Sequence, residues 1–138
     1  ALPISFVANF IGVTNFIDGV VASVDGDLIA FERSGLAGRT GNGFRPAAGV
    51  AARGALRAEQ IRIGGGREAL GDVDTVFGGT VTDAIFEGER VVYEVAVADL
   101  GGTTLRVFDH DPVAHSQHDV GSPVALGWNV QDVLVFGE

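Results

Sequence analysis

From Phe16 onward apolar residues tend to recur at every second position, the period of a half-buried strand. Phe16 to Val24 and Leu28 to Glu32 flank Asp25-Gly26, a pair that favours a tight turn with positive φ, and together they predict a hairpin. Val50 to Leu56 and Gln60 to Ile63 predict two short strands about a corner at Arg57-Ala58-Glu59, closed by Gly64-Gly65-Gly66. Further on, Val73 to Phe86 turns at Glu87-Gly88-Glu89 and returns as Arg90 to Ala98, where Val91, Tyr93, Val95 and Val97 mark one face. Thr103 to Phe108, Val124 to Trp128 and Asp132 to Phe136 complete the set of strands. Gly35 to Gly49, with five glycines and little apolar content, reads as an exposed excursion. Only the start of the chain has a helical period: Pro3 suits a first helical position, and Phe6, Val7, Phe10 and Ile11 line one face before Gly12.

The pattern occurs twice. With Gly121 laid on Gly49, Val124 falls on Ala52, Trp128 on Leu56, Val133 on Ile61 and Val135 on Ile63, while Asn129 and Gln131 fall opposite Arg57 and Glu59. Upstream, Gly19-Val20-Val21 followed by Asp25-Gly26 matches Gly79-Thr80-Val81 followed by Glu87-Gly88. A unit that recurs once predicts two small related barrels, or one barrel built from two halves. Many short strands with glycine turns, about five per half, are the size of an oligonucleotide/oligosaccharide-binding (OB) fold. The expectation is an all-β, OB-like architecture with a short N-terminal helix. Its divisions would be a linker helix at 1–15, a first half at 16–66 and a second half at 67–138.

A chain of 138 residues, 46% hydrophobic, is long enough for one compact unit or two small ones sharing a core. Eighteen acids against nine bases, all of them arginine, leave a net charge of -9, which repels a phosphate backbone and argues against nucleic acid as a partner. The absence of cysteine removes disulfide and thiolate chemistry and agrees with a cytosolic protein. Apolar runs are far shorter than a membrane span, and the first residues lack the pattern of a signal peptide. The chain does not begin with Met, so a fragment of a longer protein is expected.

Candidate chemistry is sparse. Asp109, His110, Asp111, His115, His118 and Asp119 share one polar stretch, which would suit zinc or another transition metal if the side chains converged; His115, His118 and Asp119 are the candidate ligands, and a solvated loop is the favoured reading. Gly35 to Gly49 lacks the order of a phosphate loop, and no lysine occurs anywhere. All three histidines lie in the one polar stretch, and there is no nucleophile elbow, so a hydrolase is not expected. Trp128 could stack on a sugar or a base, but partly buried core or interface is the favoured place for it.

Three landmarks resemble the transport-associated OB (TOBE) domain at the C-terminus of importer-type ABC ATPases, of the polyamine, iron(III) and small-solute type. They are Phe6-Val7-Ala8-Asn9-Phe10-Ile11-Gly12 followed by Asn15; Leu56-Arg57-Ala58-Glu59-Gln60-Ile61, with Ala58 where that family usually has proline; and Gly121 to Phe136. The resemblance implies a regulatory and dimerisation domain with no catalytic residue and no cofactor of its own, ATP and Mg belonging to an upstream ATPase domain. It implies contact with that ATPase domain and with a twin ATPase subunit, indirect contact with membrane permease subunits, and a cytoplasmic place at the inner face of the membrane. Phe6, Phe10, Arg57, Glu59 and Trp128 are the expected regulatory or interface residues. The alternative is a barrel that binds a small ligand, an oxyanion or a polyamine, the latter through exposed carboxylates such as Asp109, Asp111 and Asp119. A free-standing nucleic-acid-binding barrel is the least favoured reading.

Overall fold

The computed structural model describes residues 13–41, 44–109 and 118–137. Ten strands follow one another along them: β1 (Thr14–Asp25), β2 (Leu28–Phe31), β3 (Ala37–Thr40), β4 (Ala51–Arg57), β5 (Arg62–Gly64), β6 (Thr75–Glu87), β7 (Arg90–Val97), β8 (Thr103–Asp109), β9 (Pro123–Trp128) and β10 (Leu134–Gly137). The alternation seen in the sequence is the pleat itself. In β1, Asn15, Ile17 and Val21 are buried, while Phe16, Asp18 and Val20 face outward. In β7, Val91, Tyr93, Val95 and Val97 line the core.

The strands form two barrel-like units that exchange their last strands. A closed barrel runs β1-β2-β3-β10-β4, and a five-stranded sheet runs β5-β9-β6-β7-β8. Matching β1–β5 to β6–β10 turns one order into the other, so the fifth strand of each repeat completes the other unit. In the first unit, the parallel pairing of β10 with β3 (Leu134 with Arg39, Val135 with Thr40) closes the barrel. The equivalent strands β8 and β5 remain the two edges of the second sheet. One continuous core joins both units, from Ile17, Val21 and Leu36 to Val95, Leu126 and Trp128.

The repeat extends to backbone detail. Each long strand carries an irregularity that lets it bend, between Val21 and Ser23 in β1 and between Val81 and Asp83 in β6. Next to each lies a glycine with φ of 90°, Gly49 or Gly121, in a conformation that L side chains resist. Their N–H groups donate to the matching carbonyls of Val21 (2.8 Å) and Val81 (2.7 Å). Gly19 and Gly79 also correspond: a Cβ on either would lie 2.5 Å from a side-chain carbon, of Phe31 or of Val95.

Two expectations change. Gly35–Gly49 is not only an exposed excursion, because it contains β3, flanked by the fully buried Leu36. Gly38 within β3 disguised it: the strand passes so close to β10 that a Cβ there would lie 2.7 Å from Val133, and glycine breaks the hydrophobic pattern. Asp109 likewise belongs to strand β8 rather than to a solvated loop, and it is 4% exposed. The N-terminal helix expected at 1–15 falls mostly outside the described residues, which enter β1 at Thr14.

Candidate functional site

The corner after β4 is a 3-10 turn, Ala58–Gln60, and the corner after β9 is another, Val130–Asp132. In each, the third residue of the turn reaches back to the N–H before it: Gln60 Oε1 accepts from Arg57 N–H (3.2 Å), and Asp132 Oδ2 accepts from Asn129 N–H (3.3 Å). The first N–H of each turn is satisfied by the residue just ahead of the paired strand, β1 or β6. Ala58 N–H donates to the Val13 carbonyl at 3.0 Å, and Val130 N–H donates to Asp74 Oδ1 at 2.8 Å. Arg57 and Glu59, expected at an interface, form a half-exposed ion pair of 3.6 Å at the first corner.

Where the two units meet, the first covers part of the second sheet. Asn15, 7% exposed, bonds through its side chain to the backbone of Arg106 on the edge strand β8. Ala58, Val92 and Phe108 form a small second core with Val13 packed on it. Beside this junction lies a groove of about 210 Å³. Its floor comprises Ile85, Val92 and Phe108, a row of cross-strand partners on β6, β7 and β8. Its rim carries two ion pairs, Arg90–Glu87 (3.0 Å) and Arg106–Glu94 (3.5 Å), with the Arg90 guanidinium 4.1 Å from the Phe108 ring centre. Such a lining can seat an apolar group between balanced charges. Among the described residues it holds no hydroxyl, thiol or imidazole, and its two carboxylates, Glu87 and Glu94, are each held in one of these ion pairs.

The other sequence candidates are scattered. Trp128 is fully buried, stacked on Phe77 with ring centres 5.3 Å apart, so it is a core residue with no surface to offer a ligand or partner. Tyr93 receives a hydrogen bond from His118 N–H (3.2 Å) and meets its ring edge-on at 5.5 Å. The exposed Asp119 gives its carbonyl to Ser122 Oγ–H and N–H. Among the described residues, no three His, Asp or Glu side chains gather as a metal site. Asp109 is too buried to meet a polyamine from solvent. Phe6, Phe10, His110, Asp111 and His115 lie outside the described residues. The groove was not foreseen in the sequence; Ile85, Val92 and Phe108 carried the signal only as the outward-facing residues of neighbouring strands.

Two OB-like units with exchanged strands and a repeated plan of corners define a β-barrel domain. The TOBE domain model matches residues 54–136, more than half of the chain, and the chain belongs to the TOBE domain family. Over 96% of its length it is 33% identical to the spermidine/putrescine import ATP-binding protein PotA of Rubrobacter xylanophilus, and it spans 34% of that relative. In fold it is similar to the cytoplasmic molybdate-binding protein ModG, with a TM-score of 0.72 and 15% identity, over 90% of this chain and 96% of ModG. The sequence contains no Gly-x-x-x-x-Gly-Lys-Ser/Thr phosphate loop and no lysine. Among the described residues no helix is long and apolar enough to cross a membrane.

Proposed function

We propose that this chain is the regulatory and dimerisation domain of an ATP-binding subunit that drives import of a small solute, a polyamine, iron or a similar compound. The observation that carries this reading is the 33% identity to PotA along almost the whole chain, together with its confinement to 34% of PotA. On this reading residues 1–15 lead in from the ATPase domain, which binds ATP and Mg and meets the permease subunits at the inner face of the membrane. The barrels work by packing: they hold one arrangement of the ATPase pair in preference to another, so their contacts shift a population. In the complete transporter, disrupting the Asn15–Arg106 junction should change how far solute stimulates ATP hydrolysis and leave the unstimulated rate within about twofold. An equal loss of both rates would contradict the reading.

A second reading is a ligand-binding barrel pair, supported by the likeness in fold to ModG, which binds molybdate. The net charge of -9 disfavours an anion and suits a polyamine. Calorimetry with molybdate and with spermidine separates the two readings, since heat from either ligand would favour this one.

A further inference from the structure

The outward row Ile85, Val92 and Phe108 runs across β6, β7 and β8, and its cover stops partway. Phe108 and Val92 are 8% and 6% exposed, packed with Ala58 and Val13, whereas Ile85 at the far end is 41% exposed. Val13 lines this groove and is pinned there, because its carbonyl accepts from Ala58 N–H at 3.0 Å. The chain ahead of Val13 therefore sets out from the rim of the groove. Neighbouring strands lie about 4.8 Å apart, so Ile85 is about 10 Å along the row from Phe108. Three residues of extended chain span about 10 Å, which puts Phe10 and Ile11 within reach of the open end.

The second unit shows what the equivalent positions do. On the register that sets Gly19 on Gly79, Leu70 corresponds to Phe10 and Val73 to Val13. Leu70 is 2% exposed and lies back over its own sheet: a Cβ on Gly127 would be 2.8 Å from Val73 Cγ2 and 2.9 Å from Leu70 Cδ1. Val73 begins the cover of that surface and Leu70 continues it. Val13 begins a cover too, on Val92 and Phe108 of the other unit.

We propose that the side chains of Phe10 and Ile11, from the segment ahead of Val13, occupy this groove and close it over Ile85. Charge favours this occupant. Residues 1–12 carry no charged side chain, and the two arginines of the rim are already paired with Glu87 and Glu94. A rim neutralised within itself leaves a charged peptide or domain no unmatched group to attract, while an uncharged apolar segment gains the burial of Ile85. The segment is also tethered at Val13, so it meets the groove at the high effective concentration of a short linker, which a separate partner lacks. The proposal does not depend on what precedes Ala1, so its failure would leave the transport reading standing.

Nuclear Overhauser spectroscopy of the 138-residue chain with isotope-labelled methyl groups tests the proposal. Contacts from the Phe10 ring to the Ile85 and Val92 methyls are expected; they should persist on dilution and be absent between chains in a mixture of labelled and unlabelled protein. Stability gives a second readout. Cutting an exposed isoleucine to alanine changes the folding equilibrium within about twofold, but beneath Phe10 the Ile85→Ala exchange should lower it at least about tenfold, as should Phe10→Ala. The double variant should lose no more than about thirtyfold, short of the roughly hundredfold that two independent sites would give. Absence of the Phe10 contacts, a Phe10→Ala effect within about twofold, or losses that simply multiply would overturn the proposal. Contacts found only between chains would overturn it as well, since the occupant would then be a second copy.

Discussion

Asn15 and Arg106 stand 91 positions apart and exchange two hydrogen bonds: Asn15 Nδ2–H donates to the Arg106 carbonyl (2.9 Å), and Arg106 N–H donates to Asn15 Oδ1 (2.8 Å). One side-chain amide thereby serves a residue of edge strand β8 as a neighbouring strand would, and ties the first barrel to the second sheet. Asn15→Ala should cost about 2–4 kcal/mol, because it strands a buried N–H and C=O. Asn15→Asp should cost more at neutral pH, since a carboxylate can accept from Arg106 N–H but can only repel its carbonyl. Urea unfolding of the two variants checks the order; an Asp variant as stable as wild type would contradict it.

The departure at Ala58 has a structural reason. Its N–H donates to the Val13 carbonyl at 3.0 Å and its side chain is fully buried, so proline would forfeit the bond that ties this corner to the start of β1. Ala58→Pro should lower stability by roughly 1–2 kcal/mol. An unchanged or raised melting temperature would show that the rigidity of proline outweighs the lost bond.

Gly49→Ala and Gly121→Ala probe the repeat itself. Neither added Cβ would meet an atom within 4 Å, so the cost comes from the backbone at φ of 90°. The two should lose similar stability, about 1–2 kcal/mol each. Thermal melts differing by more than about 1 kcal/mol would show that the two sites are not equivalent.

Trp128 gives the fold its own reporter. As the single tryptophan, fully buried against Phe77, it should emit in the blue when folded and shift red on unfolding. Its Nε1–H is buried without a hydrogen-bond partner among the described residues. Trp128→Phe removes that unsatisfied donor along with some volume, so it should cost less than half of the ~3–5 kcal/mol expected for Trp128→Ala. Equal losses in denaturant titrations would contradict this.

The strands were legible because the period of two survives in β1, β6 and β7, and the repeat was legible because Gly49, Gly121 and the corner residues recur in order. The short β3 was hidden, since Gly38 makes room for Val133 where the pattern needed an apolar side chain. The exchange of β5 and β10 was not legible either, because a strand's own alternation sets which face is buried and not which barrel it joins. Asn15 appeared only as part of a family landmark; nothing local marks a polar side chain that will serve a backbone 91 positions away.

The central claim, that this chain is the accessory domain of a transport ATPase, is tested most directly by reading the coding sequence immediately upstream of Ala1. The account predicts an ATPase domain there, with a phosphate-binding loop and an ABC signature, running in frame into Phe6 and Phe10. A start codon directly before Ala1 would contradict it and leave a free-standing barrel pair.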